Sequence, residues 1–491
     1  MENWKRMKLK SNNKMSRFYA VVMVAILIGI TFSQVMGNTI FTSDTVANIE
    51  SRFTNLVAGT TLVIPQPATS YRTDQWLDID VSNVRIVFQS THAADGNAIV
   101  LVADNADVGG IRIGNNAVVN NVTIENFGFD GNQANQNNAV KLCHGIRVCN
   151  ASNVTIDGFY ITGTHPFHEH DTGGSGIQVE TYANNYSILN GFIASVGDQG
   201  LSLSGNDGFV HNVECINGYD RHIAISETST TIRNITLSDI RLKSNSDGSG
   251  IGIRSAEHIT INNIRIWDAA NSGIKIYSDA LPTHDIQINN YYGYDSNVDS
   301  DQMFGITIED DAHNVSLNNM YFYCNGTTAG RAIIFKDNCR NIFVNNVDIK
   351  VDDGTTGFRG IWFNSNHGTS ITCNNVFVHG DRLNNAIRFD ENGTISNLEI
   401  DITGSGASVF IASDVNFTRV VNYNAYENNA SVTDNGENNS VNGIASQSRN
   451  AEEPMSDGYH WGDLVQFTDS GDGSGTGLYI RRRNNTWGKI D

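Results

Sequence analysis

Apolar and polar residues alternate along this chain in short bursts, and the bursts recur. One pattern is a Gly-Ile-x-Ile box: Gly110-Ile-Arg-Ile113, Gly145-Ile-Arg-Val148, Gly176-Ile-Gln-Val179, Gly200-Leu-Ser-Leu203, Gly250-Ile-Gly-Ile253, Gly273-Ile-Lys-Ile276 and Gly305-Ile-Thr-Ile308. Variants continue it at His222, Ala332, Gly360 and Ala386. The other pattern, of the type Val-Thr-Ile-x-Asn-Φ-x-Φ, recurs around Asn126, Gly158, Gly191, Asn212, Asp239, Asn263, Asn290, Asn319, Asn346, Asn375 and Asn397. From Ile111 to Ile387 the first advances in ten steps with a mean near 28, and the second has a mean near 27. A period of two inside each box predicts a strand, and no helical period lies between boxes.

A repeat of this length marks a solenoid. With two or three short strands per turn, the coils predict a parallel β-helix, stacked about 4.8 Å apart. The inward isoleucines and valines then form one continuous core. Asparagines before the second strand, such as Asn262-Asn263, Asn289-Asn290 and Asn318-Asn319, recur at one turn. Their amides are expected to hydrogen-bond from coil to coil. About twelve coils would make a rod roughly 55–60 Å long.

These boxes resemble the repeats of right-handed parallel β-helix proteins, the pectate lyase-like group that also holds polygalacturonases, alginate lyases, mannuronan C5-epimerases and phage tailspikes. The resemblance covers about residues 81–412 and implies an all-β, right-handed parallel β-helix solenoid. Residues 38–80 resemble the N-terminal cap of such proteins. Residues 413–455, rich in asparagine, serine and glutamate, read as a linker. Residues 456–491 read as a small β-hairpin module with a glycine-rich turn. Its Asp469 and Asp472 could bind calcium, but a flexible turn is the preferred reading; no cofactor is required by the sequence.

Composition agrees with many strands and tight turns: 491 residues hold 46 glycines, only 5 prolines and 17% charged residues. The net charge is -20, and residues 1–37 carry +5 (six basic residues against Glu2), which leaves -25 for the rest. So acidic a body excludes non-specific nucleic-acid binding and adhesion to anionic membranes. The basic start followed by apolar Phe18 to Phe32 reads as a signal peptide over 1–37 or an uncleaved anchor, the one segment that would touch a membrane. The body is therefore expected to be secreted or held at the cell surface. Twelve Asn-x-Ser/Thr sequons, among them Asn121, Asn314, Asn325 and Asn416, fit a glycoprotein or, equally, asparagines serving turns. The six cysteines are expected to be buried rather than bridged; Cys143 and Cys149 flank an extended strand and stand too far apart for a disulfide.

Chemistry has to come from outward residues. The middle residue of each Gly-Ile-x-Ile box points out, giving a column that includes Arg112, Arg147, Gln178, Lys275, Trp362 and Arg388. Glu180, Arg254, Tyr277 and Glu309 lie one residue beyond, and Asp198, Asp220 and His222 just before. Arg147, Gln178, Asp220, His222, Arg254, Lys275 and Tyr277 are the candidate substrate-binding residues. A second feature is the loop His165-Pro-Phe-His-Glu-His-Asp171, which reads as a metal site, an acid/base site or a polar surface loop. It lacks a recognised zinc motif.

The acid/base reading draws on a further resemblance. In mannuronan C5-epimerases an Asp-Pro-His-Glu loop follows a Val-Thr-Ile strand, and a catalytic Asp precedes a later Gly box. Here Asn153-Val-Thr-Ile156 is followed by the loop and then by Gly197-Asp-Gln-Gly-Leu201. The resemblance implies His168, Glu169, Asp198 and His165 as catalytic candidates. His165 stands where that family has Asp, Phe167 is inserted, and Asp198 is displaced by one residue. The expected function is action on an extracellular polysaccharide, an acidic glycan favoured, by uronate C5-epimerisation or β-elimination. Alternatives are a non-catalytic glycan-binding surface protein (an adhesin, envelope or tailspike-like rod) and a glycoside hydrolase using Asp198 and Asp220.

Overall fold

The structure is a computed structural model. It describes residues 39–41, 49–136, 143–164, 174–245, 247–295, 305–324, 330–352, 358–364, 370–381, 385–403, 407–413, 415, 418–426, 432–435, 439–449, 464–469, 477–481 and 487–490. The chain is a parallel β-helix. Each Gly-Ile-x-Ile box is a short strand whose two apolar residues are buried and whose middle residue faces outward, as in Ile111–Ile113, Ile146–Val148 and Ile177–Val179. Fourteen such strands form one sheet, paired in parallel from Leu77–Ile79 to Val432–Asp434. The register is unbroken: Ile146 sits between Ile111 and Ile177, and Ile274 between Ile251 and Ile306. These residues are 0–1% exposed. Burying one such side chain is worth about 1.5–3 kcal/mol, so the column explains why the box repeats.

Where glycine opens a box, close packing requires it. A Cβ on Gly176 would stand 2.6 Å from the carbonyl oxygen of Gly200 in the next coil and 2.7 Å from the inward Ile193.

The second pattern forms longer strands such as Ala151–Thr162, Ala256–Trp267 and His313–Cys324, again paired in parallel. Each bends at one residue in the left-handed region, which asparagine tolerates better than other side chains. Asn126, Asn190, Asn212, Asp239, Asn263, Asn290, Asn319, Asn346, Asn375, Asn397 and Asn422 all have φ between 54° and 60° except Asn375 at 53°. Their amides form the expected ladder. Asn290 Nδ2 donates to Asn263 at 3.1 Å, Asn319 to Asn290 at 2.9 Å, Asn346 to Asn319 at 3.0 Å and Asn375 to Asn346 at 3.0 Å. A second left-handed corner, not anticipated, stands where the long strands begin. It runs through Asn83, Asn121, Asn153, Asn185, Asp207, Asn234, His258, Asp285, Asn314 and Asn341. Asn121 donates to Asn83 at 2.8 Å, Asn234 to Asp207 at 2.8 Å and Asn314 to Asp285 at 3.0 Å.

At the N-terminal end the helix Ile49–Thr54 buries Ile49 and Phe53 against the first coils. Beyond the expected boundary at residue 412 the ladders continue. Arg419–Tyr426 and Ser440–Arg449, within the stretch read as a linker, pair in parallel with the coil before. Val420, Tyr423 and Val441 fill the core there, while asparagine occupies corners such as Asn422; the polar composition belongs to the turns. Leu464–Asp469, Gly477–Arg481 and Trp487–Ile490 follow as an antiparallel set joined to the last parallel strand. All six cysteines are buried thiols. Burial pushes the Cys143 thiol up to about 12 and Cys149 to about 11, as inert core residues should be.

Candidate functional site

The outer face of the short-strand sheet is half-buried along most of its length and buried at Ala224, Gly252, Thr307 and Ile334. Its middle column is set by register: Asp78, Arg112, Arg147, Gln178, Ser202, Ala224, Gly252, Lys275, Thr307, Ile334, Trp362 and Arg388 follow one another coil by coil. Side chains one residue beyond lie alongside, so a cation in one coil meets a carboxylate in the next. Arg112 forks onto Asp78 at 2.7 and 2.8 Å. Arg147 Nε donates to Glu180 at 2.6 Å. Arg221 and Asp220 approach to 3.4 Å, and Arg254 and Asp279 to 3.3 Å. The sequence pattern shows a basic column; folding brings carboxylates from neighbouring coils to Arg112, Arg147 and Arg254, while Arg221 has its acid next to it in the chain.

Lys275 differs. Its Nζ lies 2.6 Å from Glu309, whose other oxygen is held by Lys336. Glu309 is buried, 3% exposed, so two cations share one carboxylate. The same Lys275 sits 4.7 Å above the Tyr277 ring, a cation–π contact that holds its ammonium over the outer face. Ser272 and Thr307 hydroxyls, 3.0 Å apart and buried, fill the surface between.

Of the expected catalytic residues, His165, His168 and Glu169 lie outside the described residues. The chain on either side of them is fixed. Thr164 is fully buried; its hydroxyl donates to the Gly174 carbonyl and accepts the Gly197 N–H at 3.1 Å. Ser175 N–H donates to His144 Nδ1 at 3.0 Å. The two ends of this segment therefore meet beside Gly197-Asp198. Asp198 is half-buried at the corresponding turn of the next coil. Asp220 follows one coil later, its N–H bonded to the Asp198 carbonyl at 3.2 Å. Asn245 supports this corner by donating to the Asp220 carbonyl at 2.8 Å. The two acids thus stand on successive turns beside the outer face, Asp198 two coils (roughly 10 Å along the axis) and Asp220 three coils (roughly 14 Å) beyond Arg147.

His222 is buried, 1% exposed, as is His144. Burial drives His144 down to about 3, with Arg147 adding to the effect, and His222 down to about 4. Both are neutral at pH 7 and sit beneath the face rather than on it. Gln178 lies between Arg147 and Ser202 on the face itself. Arg221 was not among the sequence candidates; its side chain lies across Gly252, where a Cβ would stand 2.6 Å from Arg221 Cδ. Arg331, Arg359, Trp362 and Arg388 also gather on this face, around one indole ring. Arg331 and Arg359 stand one step outside the repeated box, a position that the same alignment of boxes would have exposed.

Among the described residues, no group of three or more His, Cys, Asp or Glu side chains could hold a metal ion, and no helix is long and apolar enough to cross a membrane. The start of the chain and the glycine-rich turn after Asp469 lie outside the described residues.

No protein-family model and no curated protein matches the chain. Solved structures do. Two mannuronan C-5 epimerase A-modules of Azotobacter vinelandii, AlgE6 and AlgE4, are similar with TM-scores of 0.53 and 0.50, both at 14% identity. The matches cover 78% and 82% of this chain and 94% and 96% of those modules. The catalytic domain of a GH87 alpha-1,3-glucanase in complex with nigerose has a TM-score of 0.50 at 14% identity, covering 77% of this chain and 67% of that one. What these likenesses establish is a common β-helix fold.

Proposed function

We propose that the chain is an exported carbohydrate-active β-helix protein, and that an acidic extracellular polysaccharide lies along the outer face of its short-strand sheet. The preferred chemistry is uronate C5-epimerisation or β-elimination. The observation that supports this reading is the set of cations held in place (Arg147, Lys275 with Lys336) and the aromatic ring (Tyr277) along one face, with Asp198 and Asp220 on successive turns beside it. The fold shared with mannuronan C-5 epimerase A-modules supports it.

Uronate C5 bears a proton α to a carboxylate. Its removal needs that carboxylate neutralised and a base within reach. Arg147 or Lys275 offsets the charge, helped by a site where guanidinium and ammonium orientations are already set by Glu180 and Glu309. His168 acts as base or acid, with Asp198 as its partner; Glu169 and His165 are the further catalytic candidates. Return of a proton to the opposite face gives the epimer; departure of the 4-oxygen gives an unsaturated end.

Incubation with alginate and pectin in deuterated water, followed by unsaturated-uronate absorbance, reducing-end release and deuterium entry at C5, tests the reading. Deuterium at C5 without new reducing ends means epimerisation. His168→Ala and Asp198→Asn should abolish the signal without changing thermal stability. A second reading, glycoside hydrolysis, is favoured by the stacking of Asp198 and Asp220 on successive coils; it predicts reducing ends without unsaturation. Binding on a glycan array with no turnover would leave a non-catalytic surface protein.

A further inference from the structure

The long-strand sheet carries its own set of outward rings and charges. Past the asparagine corner, the first outward position of successive coils runs in register through Phe192, Glu214, Arg241, Arg265, Tyr292 and Tyr321. Phe192 stacks on Tyr160 of the coil before it, ring centroids 5.4 Å apart and planes within 13°. Four coils beyond Phe192, about 19 Å along the axis, Tyr292 stacks on Tyr321 at 4.6 Å and 17°. Two residues further along the same strands, Tyr294 and Tyr323 stack at 5.1 Å and 27°. Flat rings therefore stand at both ends of a polar stretch.

Between the two stacks the bend of the sheet forms a cleft. One part, of about 480 Å³, is lined by Arg241, Arg265 and Tyr292 with the corner residues Asn212, Asp239 and Asn263. A smaller part, of about 210 Å³, is lined by Phe192 and Glu214 and shares Asn212, Asp239 and Arg241 with the first. The cleft thus runs from one stack to the other. Arg241 and Arg265 are exposed and directly opposite in register, and like charges so placed cost stability. Glu214 approaches Arg241 to 4.0 Å, and Asp239 stands in the same cleft, so two cations are matched by two carboxylates. The exposed corner amides add hydrogen-bonding capacity. Each asparagine amide has two N–H groups, and the ladder engages one from each of Asn212, Asn263 and Asn290.

Ring pairs alone would be explained as support for the sheet, but an opposed arginine pair between them gives no such support. Flat rings that flank donors and acceptors of balanced charge suit a chain of sugars. The C–H faces of the sugars lie on the rings, and their hydroxyls bond guanidinium, carboxylate and amide groups. A polyanion would find no surplus of positive charge here to replace its counterions. We propose that this cleft binds a stretch of neutral oligosaccharide, on a different sheet from the outer face described above and with no chemistry of its own. It is independent of whether the short-strand face acts on a uronate.

Calorimetric titration of the full chain with neutral hexamers of β-glucan, mannan and xylan tests it, with a short oligothymidylate alongside. At least one neutral hexamer should bind, and more tightly than the oligothymidylate. Tyr292→Ala should weaken that hexamer about tenfold or more, and Arg265→Gln should weaken it several-fold. Tyr292→Phe, which keeps the ring, should bind nearly as wild type. Tyr292 is 37% exposed, so its replacement should move the thermal midpoint little. Phe192→Ala, at the other stack, should show the same loss and serves if Tyr292→Ala does not fold. Arg147→Gln, on the short-strand face, should leave the neutral hexamer unchanged. If no neutral hexamer binds, or if Arg147→Gln weakens binding while Tyr292→Ala and Phe192→Ala do not, the cleft site falls. It also falls if the oligothymidylate binds more tightly than every neutral hexamer. Sedimentation as a dimer that Tyr292→Ala converts to monomer would make the cleft a contact between copies and overturn the proposal.

Discussion

Glu309→Gln keeps the shape of the side chain and removes its charge. Glu309 is nearly enclosed, at 4% side-chain exposure, while Lys275 and Lys336 are 30% and 21% exposed. After the change, two ammonium groups face a neutral amide across a buried point. Removing one partner of a buried pair costs about 3–5 kcal/mol. Both lysines reach solvent, which screens their repulsion, so about 2–3 kcal/mol is expected here. In a solenoid that loss is local, because each coil contacts only its neighbours. Hydrogen exchange should therefore accelerate in Ile274–Tyr277, Ile306–Glu309 and Arg331–Phe335 and leave the first coils untouched. Adding Lys336→Met to the variant removes the surplus cation and should recover at least about 1 kcal/mol as a coupling energy. A Glu309→Gln effect within about 0.5 kcal/mol, the size of an ordinary surface substitution, would refute the claim that one carboxylate organises both lysines. So would a double variant whose cost is the sum of the two single ones.

The two buried histidines predict acid sensitivity. Folded pKa values near 3 for His144 and 4 for His222 lie below the unfolded value of about 6.5. The unfolded chain thus binds more protons in that window. Stability is complete above about pH 6.5 and is lost as pH falls toward 4 and then 3. His222→Gln should show a shallower fall of the urea midpoint between about pH 6.5 and 4; an identical slope would contradict the assignment. The second corner ladder bears on glycosylation. Asn121, Asn234 and Asn314 head sequons, but each spends its Nδ2 on the preceding coil, as do Asn153 and Asn185. Glycopeptide mass spectrometry of protein secreted from a glycosylating host should find these five unmodified, and high occupancy at any of them would break the ladder account.

The solenoid was legible because its signal is additive. Inward isoleucines at Ile146, Ile177 and Ile274 repeat at one phase of the box, and a period-two pattern has only one face to bury. The first asparagine corner was legible for the same reason. Its partner was hidden by chemistry: Asp207, His258, Asp285 and Ser370 also adopt positive φ there, so no single residue type marks the column. Five of its asparagines, Asn121, Asn153, Asn185, Asn234 and Asn314, precede an apolar or aromatic residue and then Ser or Thr, which reproduces a sequon without any glycan. The extension to Arg449 was masked by polar corners around Val420, Tyr423 and Val441. Electrostatics on the outer face could not be read from the column alone. Arg147 meets Glu180 and Lys275 meets Glu309 only after intervening turns of unequal length are closed. The arginines around Trp362 come from three successive coils.

Solvent exchange at uronate C5 reports most directly on the central claim, that this face takes an acidic polysaccharide and moves a proton on it. Polymannuronate incubated with the full chain in deuterated water, and followed by proton magnetic resonance, should lose its H5 signal as deuterium enters. That loss should vanish in Asp198→Asn and His168→Ala. Retention of H5 across polymannuronate, polyguluronate and polygalacturonate, with no unsaturated ends formed, would contradict the account.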